Sequence, residues 1–245
     1  MIPTTGESAA PHLTDQGAAA SLSRVVPEAP RKLPDLAPAL EALPLFPLQT
    51  VLFPGALVPL HVFEPRYRAL VRDILDTHRA LSVVLVTNPL EVDEHGHPAI
   101  ASVAGAGVII DHAELPDGRY NILVKGRARV RLRELPFEPP YRRAAASVIE
   151  SPEAEIPQAD LASLVSAATS FTSLVRERDP SFELPLPKNA PPALITDLCA
   201  HHLVIDPRER QTILEMIDLP ARVRHVAEVL AMQRLALSGA PRDVN

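Results

Sequence analysis

From residue 43 to about residue 135 the apolar positions come in short runs broken by proline and glycine, whereas from Leu161 they recur three and four residues apart. The first texture predicts strands and the second predicts helices. Residues 43–48, 51–53 and 57–63 are apolar runs cut by prolines at a density that suits the ends and edges of an irregular sheet. The next stretch is different. Tyr67, Leu70, Val71, Ile74 and Leu75 fall on one face of a helix entered through Pro65, a residue suited to the first helical turn. Residues 81–86 read as a buried strand and residues 88–98 as a polar connection. Residues 101–114 and 119–135 are two long β-rich runs flanking Leu115-Pro116-Asp117-Gly118, whose turn chemistry predicts a hairpin.

A break at residues 151–157 then separates this region from helical spacing at Leu161, Leu164, Val165, Ala168, Thr172 and Val175. A further helix is expected over residues 193–203. Asp206-Pro207 supplies an N-cap followed by proline at the first helical position, opening a helix to about Ile217. Val223, Val226, Leu230 and Leu237 mark a last helix that Gly239 is placed to end. The expected organisation is α+β. A flexible Ala/Pro-rich leader (1–40) precedes a β-rich domain with one amphipathic helix (41–150), a linker (151–157), a helical bundle (158–240) and a short tail (241–245).

Composition changes this picture little. With 47% hydrophobic and 22% charged residues the chain is ordinary globular material, and with 4% aromatics and no tryptophan its core must rest on Leu, Val, Ala and Ile. A net charge of −6 argues against a surface dedicated to nucleic acid, although a local basic patch would escape that argument. The single cysteine, Cys199, excludes an internal disulfide and reads as a buried structural thiol in a reducing compartment. Residues 1–20 lack the basic and apolar regions of a secretory signal, and no window approaches the ~20 apolar residues of a membrane span. A cytoplasmic protein without a membrane association is expected.

Candidate chemistry is sparse. No glycine-rich cradle precedes Lys and Ser or Thr, and the pair Gly105-Ala106-Gly107 lacks a third glycine and lies in an expected strand, so no nucleotide cofactor is assigned. No serine sits in a Gly-x-Ser-x-Gly context, and the three lysines (Lys32, Lys125, Lys188) occupy leader, strand and linker. Asp93-Glu94-His95-Gly96-His97 gathers potential metal ligands, but the spacing fits no established zinc pattern and reads as solvated turn chemistry. In His201-His202 the two rings leave a helix about 100° apart, awkward for joint ligation. The expectation is a protein with no catalytic residue, metal or cofactor, and therefore not an enzyme.

The most conspicuous charge pattern is Lys125, Arg127, Arg129, Arg131 and Arg133, alternating with small or apolar residues. On a strand all five would share one face. That face is either a docking surface for an acidic partner or nucleic acid, or a solvated sheet face paired with neighbouring acids, which the absence of interleaved aromatics favours.

Residues 43–55, LPLFPLQTVLFPG, and 59–68, PLHVFEPRYR, resemble the amino-terminal substrate-binding domain of Lon proteases. The likeness extends through LPDGRY at 115–120 and GRARV at 126–130, is echoed by LEMIDLPARV at 214–223, and covers roughly residues 41–238. It implies a PUA-like β pseudo-barrel followed by a helical bundle. It stops where the ATPase and peptidase domains of full Lon proteases would begin. Only the recognition role therefore carries over: the resemblance implies a stand-alone, non-catalytic module that binds unfolded or specific protein segments, with a protease among its candidate partners, and serves as an adaptor in protein quality control. The alternative it leaves open is an RNA-binding PUA-like protein using the basic strand face. In the shared motif, Phe46, Phe53, Phe63 and Tyr67 are expected in the core, Pro54-Gly55 in a turn, and Glu64 and Arg66 joined by a charge-assisted hydrogen bond.

Overall fold

The computed structural model of the 245-residue chain describes residues 35–152 and 154–238. Its seven strands are β1 (Leu43–Leu48), β2 (Leu57–Val62), β3 (Ala80–Val92), β4 (Pro98–Ile100), β5 (Val103–Glu114), β6 (Tyr120–Glu134) and β7 (Arg143–Val148). The helices are α1 (Pro65–Leu75), α2 (Gln158–Arg176), α3 (Pro192–Leu203), α4 (Pro207–Glu215) and α5 (Leu219–Ser238). The architecture is thus a mixed sheet followed by a helical part.

All seven strands belong to one sheet, ordered β1-β7-β6-β5-β3-β4, with β2 added to β6 and a further parallel pairing of β1 with β3. That last pairing returns the path β1-β7-β6-β5-β3 to its start. β6 is the spine: Tyr120–Lys125 pair with β2 on one edge and β5 on the other, and Val130–Glu134 pair with β7. The β5–β6 register shifts between Ala106/Gly107 and again between Ile109/Asp111, so a bulge leaves Arg127 without a partner on β5.

The segment between β1 and β2 runs along the inner side of the sheet, and Val51, Leu52 and Phe53 are buried. Two glycines let it approach. A Cβ at Gly105 would stand 1.9 Å from the Leu52 carbonyl oxygen, and one at Gly126 would stand 2.0 Å from that of Phe53. Gly55, at φ +82°, turns the chain so that its N–H donates to the Gly126 carbonyl at 3.0 Å, while the Gly126 N–H donates to the Ala56 carbonyl at 2.9 Å. The pair Gly105 and Gly107 is therefore a packing feature of β5.

Three local differences from the sequence reading stand out. Residues 36–40, assigned to the leader, are ordered: Leu36 and Ala39 are buried, and the Leu40 carbonyl accepts from Ala146 N–H at 2.7 Å. Residues 1–34 of the leader and the tail, 241–245, lie outside the described residues. The polar connection expected at 88–98 is mostly strand, because β3 continues to Val92 and folds back through β4. Phe63, expected in the core, is 60% exposed. Among the described residues β2 is covered on one face only, and the strand period places Phe63 on the outward face with His61, whose ring lies 6.2 Å away.

Helix α1 forms as its spacing predicts and buries Tyr67, Leu70, Val71 and Ile74. Helix α4 starts at Asp206, whose side chain accepts from Arg208 N–H. In α2 and α5 the apolar stripes face each other and, with α3, close over Leu164, Phe171, Val223, Val226 and Leu230.

Candidate functional site

The helical part is fastened to the sheet by polar side chains as well as apolar ones. Arg129 of β6 is buried and donates through one guanidinium nitrogen to the carbonyl oxygens of Leu214 (3.0 Å) and Met216 (2.6 Å), and through the other to Ser151 Oγ (2.7 Å). Those carbonyls end α4, where the helix dipole favours a cation. Arg222 of α5, 1% exposed, donates to the same Met216 carbonyl at 3.0 Å and pairs with Asp197 of α3 at 3.4 Å. Burial, helped by the Arg222 charge, pulls the Arg129 guanidinium down to about 10. It pushes the Asp197 carboxyl up to about 6, against the opposing pull of Arg222 and Arg129.

This burial corrects the expectation of five basic residues on one open face. Arg127, Arg131 and Arg133 are exposed and Lys125 is half-buried, but Arg129 lies under the end of α4. Strand period fixes which way a side chain points and says nothing of what lies above it. Across the ladder Arg131 faces Ser147 and Val103 and Arg133 faces Ala145, so no acid stands directly opposite either.

The residues of the shared motif are mostly scaffold. Phe46 stacks on Tyr67 at 4.4 Å, and the Arg66 guanidinium lies 4.7 Å from the centre of the same ring. Arg66 also holds Glu64 by two contacts, 3.0 and 2.8 Å, which fixes the entrance to α1. Phe53 is fully buried, with its ring 6.3 Å from that of His201 on α3. Pro54-Gly55 forms the turn beneath Leu194 and Leu198.

Beside this seam a cleft of about 460 Å³ opens between the sheet and α4, lined by Gln49, Val86, Thr87 and Pro89 on one side and Asp206, Pro207, Arg208 and Gln211 on the other. Gln211 donates through Nε2 to the Val103 carbonyl (2.9 Å) and to Glu215 Oε1 (2.7 Å), leaving its buried Oε1 without a partner among the described residues. Two exposed apolar side chains adjoin the lining in sequence, Leu90 at 90% and Ile205 at 58% exposure. The size and mixed lining suit a short polypeptide or small organic group.

The remaining candidates have structural explanations. Asp93 Oδ1 accepts from His95 and His97 N–H and shapes the turn, while the His97 ring packs edge-on against Phe137. Among the described residues no cluster of three or more His, Cys, Asp or Glu is placed to hold a metal. Cys199 is buried, and burial pushes its thiol up to about 12. His201 and His202 meet at 4.8 Å with perpendicular rings. Burial brings His201 down to about 4, helped by His202 and Arg210 and opposed by a hydrogen bond with the Val51 backbone. No described helix is long and apolar enough to cross a membrane.

Asp197, Arg222 and Gln211 escaped the sequence reading. A signal was present: Asp197 interrupts the apolar run Ile195, Leu198, Cys199, and a lone carboxylate there implies a buried partner. Its identity depends on contacts that sequence spacing does not encode.

A mixed sheet with buried glycine contacts, helices fastened across it and an open cleft at the seam make up the domain. Residues 42–232 match the family described as the ATP-dependent protease La (LON) substrate-binding domain, and the chain belongs to that family. It is 29% identical over 204 residues to Lon protease of Roseiflexus castenholzii, covering 81% of this chain and 25% of that protein. It is 30% identical over 205 residues to Lon protease 2 of Syntrophobacter fumaroxidans, covering 82% and 26%. The chain thus spans about a quarter of the length of these curated relatives. The crystal structure of a Lon N-terminal domain protein from Xanthomonas campestris is similar at 26% identity and a TM-score of 0.54, covering 82% of this chain and 99% of that one. The N-terminal domain of Mycobacterium avium complex Lon protease shares the fold at 16% identity and a TM-score of 0.55, covering 78% and 98%.

Proposed function

We propose that this chain is a non-catalytic recognition module that binds polypeptide segments exposed by unfolded or partly folded proteins. Membership of a substrate-binding domain family carries the reading, and the cleft between β3 and α4 supplies a surface of suitable size. The five-strand ring corresponds, in this reading, to a PUA-like pseudo-barrel whose role is to hold the helical part at a fixed angle to the cleft. Presenting bound segments to a protease, as an adaptor in cytoplasmic protein quality control, is the cellular role that follows.

Binding of RNA along the basic strand is the competing reading. Arg127, Arg131 and Arg133 favour it by their exposure, but Arg129 is spent on α4, which breaks the row. Fluorescence anisotropy of labelled, reduced and carboxymethylated lactalbumin separates the two. Saturable binding that persists in high salt, with the probe's mass unchanged after incubation, is expected. Binding only to RNA, lost in high salt and on reversing Arg127, Arg131 and Arg133, would replace the first reading with the second.

A further inference from the structure

We propose that the bare edge of β3 from Val86 to Val92 takes up an extended polypeptide segment as an added strand, apolar at its centre and basic at the end nearest the β3–β4 turn. The inference rests on the polypeptide-binding reading and names the docking mode and the class of segment.

β1 pairs with β3 from Leu45↔Ser82 to Leu48↔Leu85 and then leaves at Gln49. On the opposite edge β3 is followed by β5, the link from Ala101 N–H to the Leu85 carbonyl, and β4 as far as Val92↔Pro98. Along residues 86–92 the edge that β1 vacates therefore has no strand against it among the described residues. An unpaired edge offers a row of N–H and C=O groups to any extended chain that reaches it.

The position β1 would have continued into is the cleft itself. Val86, Thr87 and Pro89 form one wall and the start of α4 the other. A strand added at the usual spacing of about 4.8 Å would lie in this space. Pro89 removes one donor, and Leu90 N–H is held by Asn88 Oδ1 at 3.0 Å, so pairing is concentrated on the flanking residues. The exposed side chains of Leu90 and Val92 offer apolar contact, and Gln211 Oε1 is an acceptor unused among the described residues.

Charge selects the segment. Glu91, Asp93 and Glu94 are all exposed near the turn; Arg142, which donates to the Pro98 carbonyl there, is paired with Glu134, and Arg208 lies on the facing α4 wall. Natural edges are commonly blunted by lysine; this one carries acids, which repel an acidic chain end and attract a basic one.

The test uses a twelve-residue peptide of alternating valine and threonine with three lysines at one end, its backbone N-methylated counterpart, and a version with three glutamates. Hydrogen exchange of the full chain is read by mass spectrometry, and affinity by anisotropy. The lysine peptide should slow exchange several-fold within residues 86–92. N-methylation should abolish binding, and both the glutamate version and Leu90→Lys should weaken it by about tenfold or more. Binding that tolerates N-methylation, or that leaves 86–92 unprotected, overturns the strand-addition mode while polypeptide binding stands. Protection that rises with protein concentration alone assigns the edge to a second copy and also overturns it. Failure to bind either peptide or carboxymethylated lactalbumin removes both readings.

Discussion

Arg129 of β6 and Arg222 of α5 meet on one atom, the carbonyl oxygen of Met216, at 2.6 and 3.0 Å. Two buried guanidinium groups so close require compensation, which comes from the C-terminal end of α4 and from Asp197. The arrangement ties β6, the helices α3, α4 and α5, and the turn between α4 and α5 into one polar joint. It fastens the C-terminal end of α4 to β6.

Removing Arg129 should therefore be costly where its neighbours in sequence are not. Arg129→Ala takes the side-chain donor from the Leu214 carbonyl and Ser151 Oγ and leaves the Met216 carbonyl to Arg222 alone, and is expected to lose about 3 kcal/mol of unfolding free energy in urea titrations. Arg131→Ala, on the open part of the same strand, should change stability by less than about 0.5 kcal/mol. Equal effects of the two would mean that Arg129 is not the fastening.

The glycines under the β1–β2 segment give a second prediction. Gly126→Ala and Gly105→Ala place a methyl group against rigid backbone, 2.0 and 1.9 Å from carbonyl oxygens, and should each lower stability by more than about 2 kcal/mol. A Cβ at Gly96 meets nothing within 4 Å, so Gly96→Ala suffers only its positive φ and should cost about 1 kcal/mol. Thermal unfolding of the three variants ranks them.

Two buried groups in α3 should oppose each other in the pH dependence of stability. His201 falls from 6.5 to about 4 on folding, so its contribution is complete above pH 6.5 and is lost as pH drops through about 4. Asp197 rises from 3.8 to about 6, so its contribution is complete below pH 3.8 and is lost as pH rises through about 6. Between pH 4 and 6 the two slopes nearly cancel. Asp197→Asn removes one, and stability of that variant should then decline on acidification by up to about 1.4 kcal/mol per pH unit relative to wild type. His201→Gln should tilt the profile the other way. Parallel profiles for all three proteins would contradict the assignment.

Cys199 should behave as a wall of the helical core. With no exposed surface and a thiol pushed up to about 12, it should not react with a disulfide reagent at pH 8 in the native protein. Complete reaction is expected in denaturant. Rapid native-state labelling would show that the helical part opens readily.

What the sequence revealed follows from which forces are local. The spacing of Tyr67, Leu70, Val71 and Ile74 read α1 correctly, and Leu115-Pro116-Asp117-Gly118 read the β5–β6 hairpin, because helix periodicity and turn chemistry are short-range. Asn88-Pro89 looked like the start of a loop, yet β3 runs through it because β4 supplies pairing on one edge. The basic strand was legible as a pattern, but Arg129 is paired 85 residues away, beyond the reach of any local rule. Phe63 failed for a related reason. Hydrophobicity predicts burial only where another element covers the side chain, and among the described residues none covers that face of β2.

The measurement that reaches the central claim most directly is a competition at two salt concentrations, with labelled carboxymethylated lactalbumin bound to the full chain and either unlabelled lactalbumin or single-stranded RNA added. A recognition module for polypeptide predicts displacement by lactalbumin at both salt concentrations, little displacement by RNA at the higher one, and an intact probe throughout. Absence of any bound probe, or RNA displacing it stoichiometrically at high salt, would contradict the account.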